Sequence, residues 1–247
     1  MQRMQLSIFL LLVAVGSACA QDECHLGAGN AADTVKNALR AQTSCSAAAA
    51  LLHKCAWGAT ADTWFAPIVI EKCEADFLNN LSAAGKDNYK TELQLCGYEY
   101  ARQKGTLYRS AASLCQADVA AQFAANPEAN DHAALKASFD CGKAQTLLER
   151  AICSDAQLGL GDIVLSRAYA HALSPENESE KAKLAASEQK WLAGLAAKCI
   201  LTTIPLPEPT LSCLRNEMEL RFTALDSCGM TDDAAECIDS ATSSGGR

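Results

Sequence analysis

The residues of this sequence that could do chemistry are its histidines and its clustered acids. The four histidines stand apart, with no cysteine or carboxylate at metal-ligand spacing: His25, His53, His132 and His171. Three acidic clusters could supply the paired carboxylates of a glycosidase, namely Glu71/Glu74, Glu176/Glu178/Glu180 and Asp232/Asp233. Acids at helix starts and in loops more often complement the helix dipole or solvate the surface. Because no nucleophile, zinc or phosphate-loop motif is present either, we predict a non-enzymatic protein without metal or cofactor.

The three tryptophans are the remaining candidates for ligand contact. Trp191 falls on the inner face of a predicted helix, so the periodicity favours core packing for it. Trp57 and Trp64 flank a predicted tight turn near Gly58, and the sequence leaves their role open.

The first twenty residues predict a secretory signal peptide. Arg3 precedes an apolar run over residues 6–15, and Ala18 and Ala20 satisfy the small-residue rule for cleavage after Ala20. The alternative is a lipoprotein signal in which Cys19 becomes the lipidated first residue, and we favour the soluble form. No later stretch reaches the roughly 20 apolar residues of a membrane helix. We therefore expect a periplasmic or secreted protein without a membrane span.

Both interpretations of the signal leave twelve cysteines in the exported chain. An even number in an exported protein indicates a disulfide framework, here of six bridges. The twelve are Cys24, Cys45, Cys55, Cys73, Cys96, Cys115, Cys141, Cys153, Cys199, Cys213, Cys228 and Cys237.

The spacing of the cysteines predicts their pairing if neighbouring helices form antiparallel hairpins, since residues equidistant from a turn lie at the same height. Cys45 and Cys73 are each fourteen residues from a turn near residue 59, and Cys96 and Cys115 are nine and ten residues from Gly105. This leaves Cys24 for Cys55, one of fifteen possible connectivities of six cysteines. In the second half the neighbours Cys141–Cys153, Cys199–Cys213 and Cys228–Cys237 are predicted to pair.

The exported chain is acidic. Arg3 is the only charged residue among the first twenty, so the rest carries 20 lysines and arginines against 29 aspartates and glutamates, a net charge of −9. This balance disfavours nucleic acid and anionic membranes as partners and favours a basic protein. Solubility alone also explains such a charge in many exported proteins.

Apolar residues recur at three-and-four spacing, which predicts an all-α protein. Its length and the even division of the cysteines predict two small helical domains, residues 21–125 and 139–226, joined by a linker over residues 126–138. A C-terminal loop and disordered tail are expected over residues 227–247.

In the first domain, helices are predicted from about residue 30 with a break near Thr43, and then over residues 61–84, 87–104 and 106–125. In the second, Thr146-Leu-Leu-Glu149 is a capping box and Asp155 caps the next helix. Two further helices carry Leu184, Glu188, Trp191 and Leu195, and Leu211, Leu214, Met218, Phe222 and Leu225, on their inner faces. A proline-containing loop over residues 200–212 separates them.

Residues of the second domain resemble a known family. Phe139-Asp140-Cys141, Glu149-Arg-Ala-Ile-Cys153-Ser-Asp155, Gln189-Lys-Trp191 and the later Cys199 and Cys213 follow the order of motifs in the lysozyme inhibitor LprI-like family of exported bacterial domains. The resemblance covers residues 138–226, and the first domain has no counterpart in it.

The resemblance implies binding to a lysozyme, and a cationic lysozyme would suit the charge of −9. Inhibition requires a rigid segment that enters the sugar cleft, because preorganisation lowers the entropic cost of binding. The candidate is the loop segment Ile204, Pro205, Leu206, Pro207, Glu208 and Pro209, in which Glu208 is the only charge. The alternative is an envelope interaction module with no lysozyme activity, because fold does not fix function.

Overall fold

The computed structural model describes residues 24, 31–100, 103–173, 178–228 and 234–244, which fold entirely as helices and connections. The helices are α1 (Ala31–Ala41), α2 (Cys45–Cys55), α3 (Asp62–Phe77), α4 (Ala83–Tyr100), α5 (Thr106–Ala125), α6 (Pro127–Asn130), α7 (Leu147–Ser154), α8 (Ala156–Leu173), α9 (Glu178–Lys198), α10 (Glu208–Cys228) and α11 (Ala234–Ser244). A 3-10 turn, Cys141–Lys143, precedes α7. The all-α, disulfide-rich prediction is confirmed. The signal-peptide prediction concerns residues outside those described.

Helices α1 to α5 enclose the core of the N-terminal half. The predicted break separates α1 from α2, where the Ser44 hydroxyl accepts a hydrogen bond from the Ala47 amide and caps α2. Phe77, Tyr89 and Phe123 meet in the core with ring centroids 5.0–5.7 Å apart. Aromatic packing of this kind stabilises beyond the area that it buries. Helix α5 has the predicted bounds.

The prediction of one helix over residues 61–84 is wrong, because the chain turns after Phe77 and α4 begins at Ala83. Ser82 caps α4 by accepting from the Gly85 amide, and Asp131 in turn accepts from the Ser82 amide and hydroxyl. Gly85, between the predicted helices 61–84 and 87–104, lies inside α4. A Cβ there would be 2.0 Å from Asp131 Oδ1, so close approach explains the glycine.

The segment between the halves is packed against both of them. Pro127 begins the short helix α6, as proline does in a first helical turn. Asn130 accepts from the Asn88 side chain of α4, while Ala137 is buried in the core of the C-terminal half. The Ser138 amide donates to Asp162 of α8 at 2.6 Å. The predicted linker therefore contacts both cores, although most of its side chains are exposed.

The halves also touch directly between α4 and α8. Leu95 packs with Ile163 and Val164 in a small buried cluster, and Arg167 donates to Glu92 at 2.9 Å. Because this contact combines apolar packing with a half-exposed ion pair, it fixes α8 on the surface of the first half.

In the C-terminal half, α7 and α8 begin at the predicted capping residues. The Thr146 hydroxyl accepts from the Glu149 amide and the Glu149 carboxylate accepts from the Thr146 amide, which completes the capping box of α7. Asp155 accepts from the Leu158 amide at 2.9 Å and starts α8. Residues 174–177, which precede α9, lie outside those described.

The C-terminal end differs from the expected loop and disordered tail. Helix α11 spans Ala234–Ser244 and packs on α9 and α10, with Ala234 and Ile238 buried beside Leu225. Burial of these apolar side chains stabilises a helix that is marginal by itself.

The described residues contain six disulfides, which join the cysteines that the spacing argument pairs. They are Cys24–Cys55, Cys45–Cys73, Cys96–Cys115, Cys141–Cys153, Cys199–Cys213 and Cys228–Cys237. No helix in the described part of the chain is long and apolar enough to cross a membrane.

Candidate functional site

The connection between α9 and α10 is a short closed loop over residues 199–207. The Cys199–Cys213 bridge, with Cα atoms 5.5 Å apart, ties the end of α9 to the second turn of α10. Leu201 and Leu206 both pack against the buried cluster that contains Leu195 and Leu214. The loop is thus held at its closing bridge and at two internal positions.

The first residue after the bridge carries backbone strain. The Ile200 amide donates to Ala197 O and the Leu201 amide donates to Ala196 O, which together form the Schellman end of a helix. This motif needs a left-handed residue, normally glycine, and Ile200 occupies it with φ 55°. A β-branched residue is unfavourable in that conformation. Because Ile200 is 72% exposed, little burial offsets the strain.

The outer surface of the loop is apolar or neutral. Ile200 and Ile204 are exposed, and Thr202, Thr203 and Pro205 lie between and beside them. No residue from 199 to 207 is charged. The loop therefore offers a partner two aliphatic side chains without the cost of desolvating a charge.

Two residues of the predicted loop belong instead to helix α10. Glu208 is its first residue and Pro209 its second, positions that favour an acid and a proline because the dipole and the free amides are there. The Glu208 carboxylate accepts from Arg215 Nη1 at 3.3 Å, within the same helix. Glu208 therefore lies in α10 and not in the loop, which corrects its predicted location, and Leu206 is an anchor of the loop.

Arg215 braces the base of α10 against the corner between α7 and α8. Its Nη2 donates to Asp155 Oδ2 at 3.0 Å, and Asp155 also caps α8. The Arg215 Nε is buried and has no partner among the described residues. Asp155 thus has a structural role that links two helices.

A cavity of about 200 Å³ lies between α9, α10 and α11. Its floor is Arg221, which is fully buried. Arg221 donates to Glu188 at 2.9 Å through Nε and to Ser187 Oγ at 2.7 Å through Nη2, and its third partner is Asp239 at 3.5 Å. Its guanidinium also lies 5.7 Å from the Trp191 ring centroid, within cation–π range.

Burial controls the titration of the groups around Arg221. Desolvation raises the pKa of Glu188 above its ordinary value, and the Arg221 guanidinium opposes the rise. Burial likewise raises the pKa of Tyr169, with a further contribution from the charge of Glu188. At the mouth, Lys198 donates to the nearly buried Glu217 at 2.8 Å. The charges around the cavity are mutually paired, which indicates a structural network.

The other candidates are dispersed. His53 pairs with Asp118, His132 contacts Asn88 and the Ala133 carbonyl, and His171 is exposed on α8, while His25 lies outside the described residues. Glu74 accepts from the Tyr89 hydroxyl, and Glu178 and Glu180 pair with lysines one turn away. Glu176, Asp232 and Asp233 also fall outside the described residues. Among those described, no three His, Cys, Asp or Glu side chains form a group that could hold a metal.

One tryptophan packs in the interior and two are exposed. Trp191 lines the cavity and packs against two clusters, with its buried Nε1 unpartnered among the described residues. Trp57 and Trp64 are 46% and 55% exposed near the start of α3.

Sequence reasoning missed the strain at Ile200 and the burial of Arg221 and Glu217. Both charged residues share the apolar period of Leu214 and Met218 in α10, and a charge at such a position is a signal of a buried ion pair. Nothing in the local sequence marks Ile200, because the usual glycine is absent.

No family model matches the sequence, and no curated protein and no solved structure matches it either.

Proposed function

We propose that the protein is an exported binding protein that inhibits a cationic lysozyme through the 199–207 loop. The observation that carries the proposal is the loop itself. It is closed by the Cys199–Cys213 bridge, anchored by Leu201 and Leu206, and contains no charged residue. A segment that is already ordered loses little entropy when it binds. Its exposed Ile200 and Ile204 supply apolar contact area.

The partner follows from electrostatics and from the motifs of the second half. Glycosidase clefts contain paired carboxylates, so a neutral loop enters such a cleft without like-charge repulsion. The surrounding protein carries the charge of −9, which attracts a basic enzyme from a distance. The similarity of residues 138–226 to the lysozyme inhibitor LprI-like family supports the same assignment.

The test is a lysozyme turbidity assay with the chain from Gln21 onward. We expect dose-dependent inhibition by the unaltered protein and a strong loss of inhibition in Ile204→Glu, which places a carboxylate on the loop. Ile204→Gln introduces a side chain of similar size to glutamate but without the charge, so this variant should retain more inhibition than Ile204→Glu. Leu192→Gln is the control for an equally exposed apolar residue of α9 outside the loop.

The results separate the loop from the protein as a whole. Inhibition that survives Ile204→Glu unchanged would rule out the loop as the inhibitory segment. If the unaltered protein neither inhibits nor binds lysozyme, the alternative is an envelope interaction module without lysozyme activity. An exposed apolar surface in the N-terminal half, far from the loop in sequence, favours that second function.

A further inference from the structure

The N-terminal half carries an exposed apolar surface at one end of its helices. Trp57, Trp64 and Leu107 are 46%, 55% and 59% exposed. Trp57 lies in the turn between α2 and α3, Trp64 in the first turn of α3 and Leu107 in the first turn of α5. We call these three residues the tryptophan patch.

The turn below the patch is rigid and joins its parts. Asp62 is fully buried, and its carboxylate accepts from the amides of Trp57 and Ala59 and from the Ser110 hydroxyl at 2.6 Å. Ser110 is one helical turn after Leu107, so this hydrogen bond ties the start of α5 to the turn. A Cβ on Gly58 would lie 3.2 Å from Leu107 Cδ1, which shows how closely Leu107 covers the turn.

Cys24 lies at the same end of the helices as the patch. Cys24 is bonded to Cys55, with Cα atoms 4.9 Å apart, and Cys55 is only two residues before Trp57. If Cys19 carries a lipid, the five residues from Cys19 to Cys24 span about 18 Å at most. A lipid on Cys19 would therefore hold the tryptophan patch close to the membrane surface.

The residues next to the patch in sequence differ in charge from the whole protein. Lys54 is three residues before Trp57, while Lys104 is three residues before Leu107 and Arg109 two after it, and all three are exposed. Between residues 51 and 67 the only acid is the buried Asp62, and none occurs between residues 103 and 117. Two acids, Asp22 and Glu23, directly precede Cys24 and lie outside the described residues. The segments that carry the patch thus have more exposed basic than acidic side chains, although the chain from Gln21 onward has a net charge of −9.

We propose that the tryptophan patch docks on an anionic phospholipid surface. Indole rings prefer the boundary between headgroups and acyl chains, because an apolar ring and a polar N–H meet both environments. Lysine and arginine beside the rings add attraction to anionic headgroups. The overall charge argues against binding to an anionic membrane, but a contact of this size responds to the local charge, since salt screens charges more than about 10 Å away. The proposal does not depend on lysozyme binding.

The experiment is co-sedimentation of the chain from Gln21 onward, which has no lipid, with phosphatidylcholine vesicles with and without phosphatidylglycerol. We expect binding to the anionic vesicles that weakens with salt, together with a blue shift of tryptophan fluorescence. Trp64→Ser/Leu107→Ser should bind about tenfold more weakly or worse, because two apolar side chains are removed. Trp57 stays in this variant as a reporter. Lys104→Glu/Arg109→Glu should lower both the binding and its salt dependence.

The matched control is Leu135→Ser/Leu192→Ser, which removes two leucines that are 55% and 42% exposed elsewhere on the protein. It should bind vesicles like the unaltered chain, and circular dichroism should show an intact fold in every variant. The proposal is overturned if the unaltered chain stays in the supernatant, or if the control loses as much binding as the patch variant. Self-association that the patch variant abolishes, without vesicle binding, would assign the patch to a second copy of the chain.

Discussion

Replacement of Ile200 by glycine tests the strain in the loop. Relief of the left-handed conformation should recover about 1–2 kcal/mol. Ile200 is 72% exposed, so removal of its side chain forfeits about 0.4–0.8 kcal/mol of burial. The greater freedom of glycine in the unfolded chain costs about 0.4–1 kcal/mol. These effects nearly cancel, so we expect Ile200→Gly to change the free energy of unfolding by less than about 1 kcal/mol.

The same change at Leu192 provides the comparison. Leu192 is 42% exposed in the middle of α9, where the backbone is helical. Glycine there should cost about 1 kcal/mol in helix propensity. The lost burial adds about 1–1.7 kcal/mol, so Leu192→Gly should destabilise the protein by about 2–3 kcal/mol in total. The contrast between the two sites is therefore larger than the error of either measurement.

Urea unfolding followed by circular dichroism, with the disulfides intact, measures both variants. If Ile200→Gly is as destabilising as Leu192→Gly, the side chain imposes no strain at residue 200 and the reasoning fails. A second measurement concerns binding. If Ile200 is an anchor of the proposed inhibitor, Ile200→Gly should weaken lysozyme inhibition while stability is unchanged.

Three further predictions concern stability. Arg221→Met should destabilise the protein by about 3–5 kcal/mol, because it leaves the largely buried Glu188 without its cation. Arg167→Met at the half-exposed pair with Glu92 should cost about 1 kcal/mol or less. Equal losses in urea melts would contradict the assignment. Hydrogen bonds from the Thr146 and Gln145 amides lower the pKa of Glu149, so its folded pKa lies below its unfolded value. The contribution of the Glu149 carboxylate to the free energy of unfolding is complete above the unfolded pKa near 4.5 and is lost as the pH falls through the folded pKa. Glu149→Gln should therefore be less stable than the unaltered protein at pH 7, and the difference should shrink in acid. A difference in stability that does not depend on pH would contradict this. Cys199→Ser/Cys213→Ser opens a bridge with a sequence separation of 14 and should cost about 3 kcal/mol in thermal or urea unfolding, together with a loss of inhibition; retained inhibition would show that the bridge does not preorganise the loop.

Much of the fold could be predicted because its signals are local. In the capping box at Thr146 and the cap at Asp155, the side chain accepts a hydrogen bond from an amide three residues later. The pairs Cys45–Cys73 and Cys96–Cys115 follow from helical hairpins, since distance along each helix fixes which residues meet. These features need no knowledge of what packs across the core.

The errors have a common origin in contacts between distant residues. The helix predicted to continue to residue 84 ends at Phe77, and Gly85 lies inside α4 because Asp131, 46 residues later, occupies the space of a Cβ. Helix α11 forms where a loop was expected because Ile238 finds a buried site beside Leu225. Glu208 looked like a loop residue, but its place in the first turn of α10 depends on where the loop is anchored.

The connectivity of the disulfides has a consequence for biogenesis. After the first four cysteines, every bridge joins one cysteine to the next along the chain, so a thiol oxidase that acts on the emerging polypeptide forms the native pairs in order. The first four interleave, as Cys24–Cys55 and Cys45–Cys73, and oxidation in order of emergence would instead join Cys24 to Cys45. Maturation of the N-terminal half should therefore require a disulfide isomerase, because thiol exchange is the route from the first pairing to the native one. Peptide mapping of chains made without the isomerase would show this as mispaired Cys24, with the bridges after residue 96 intact.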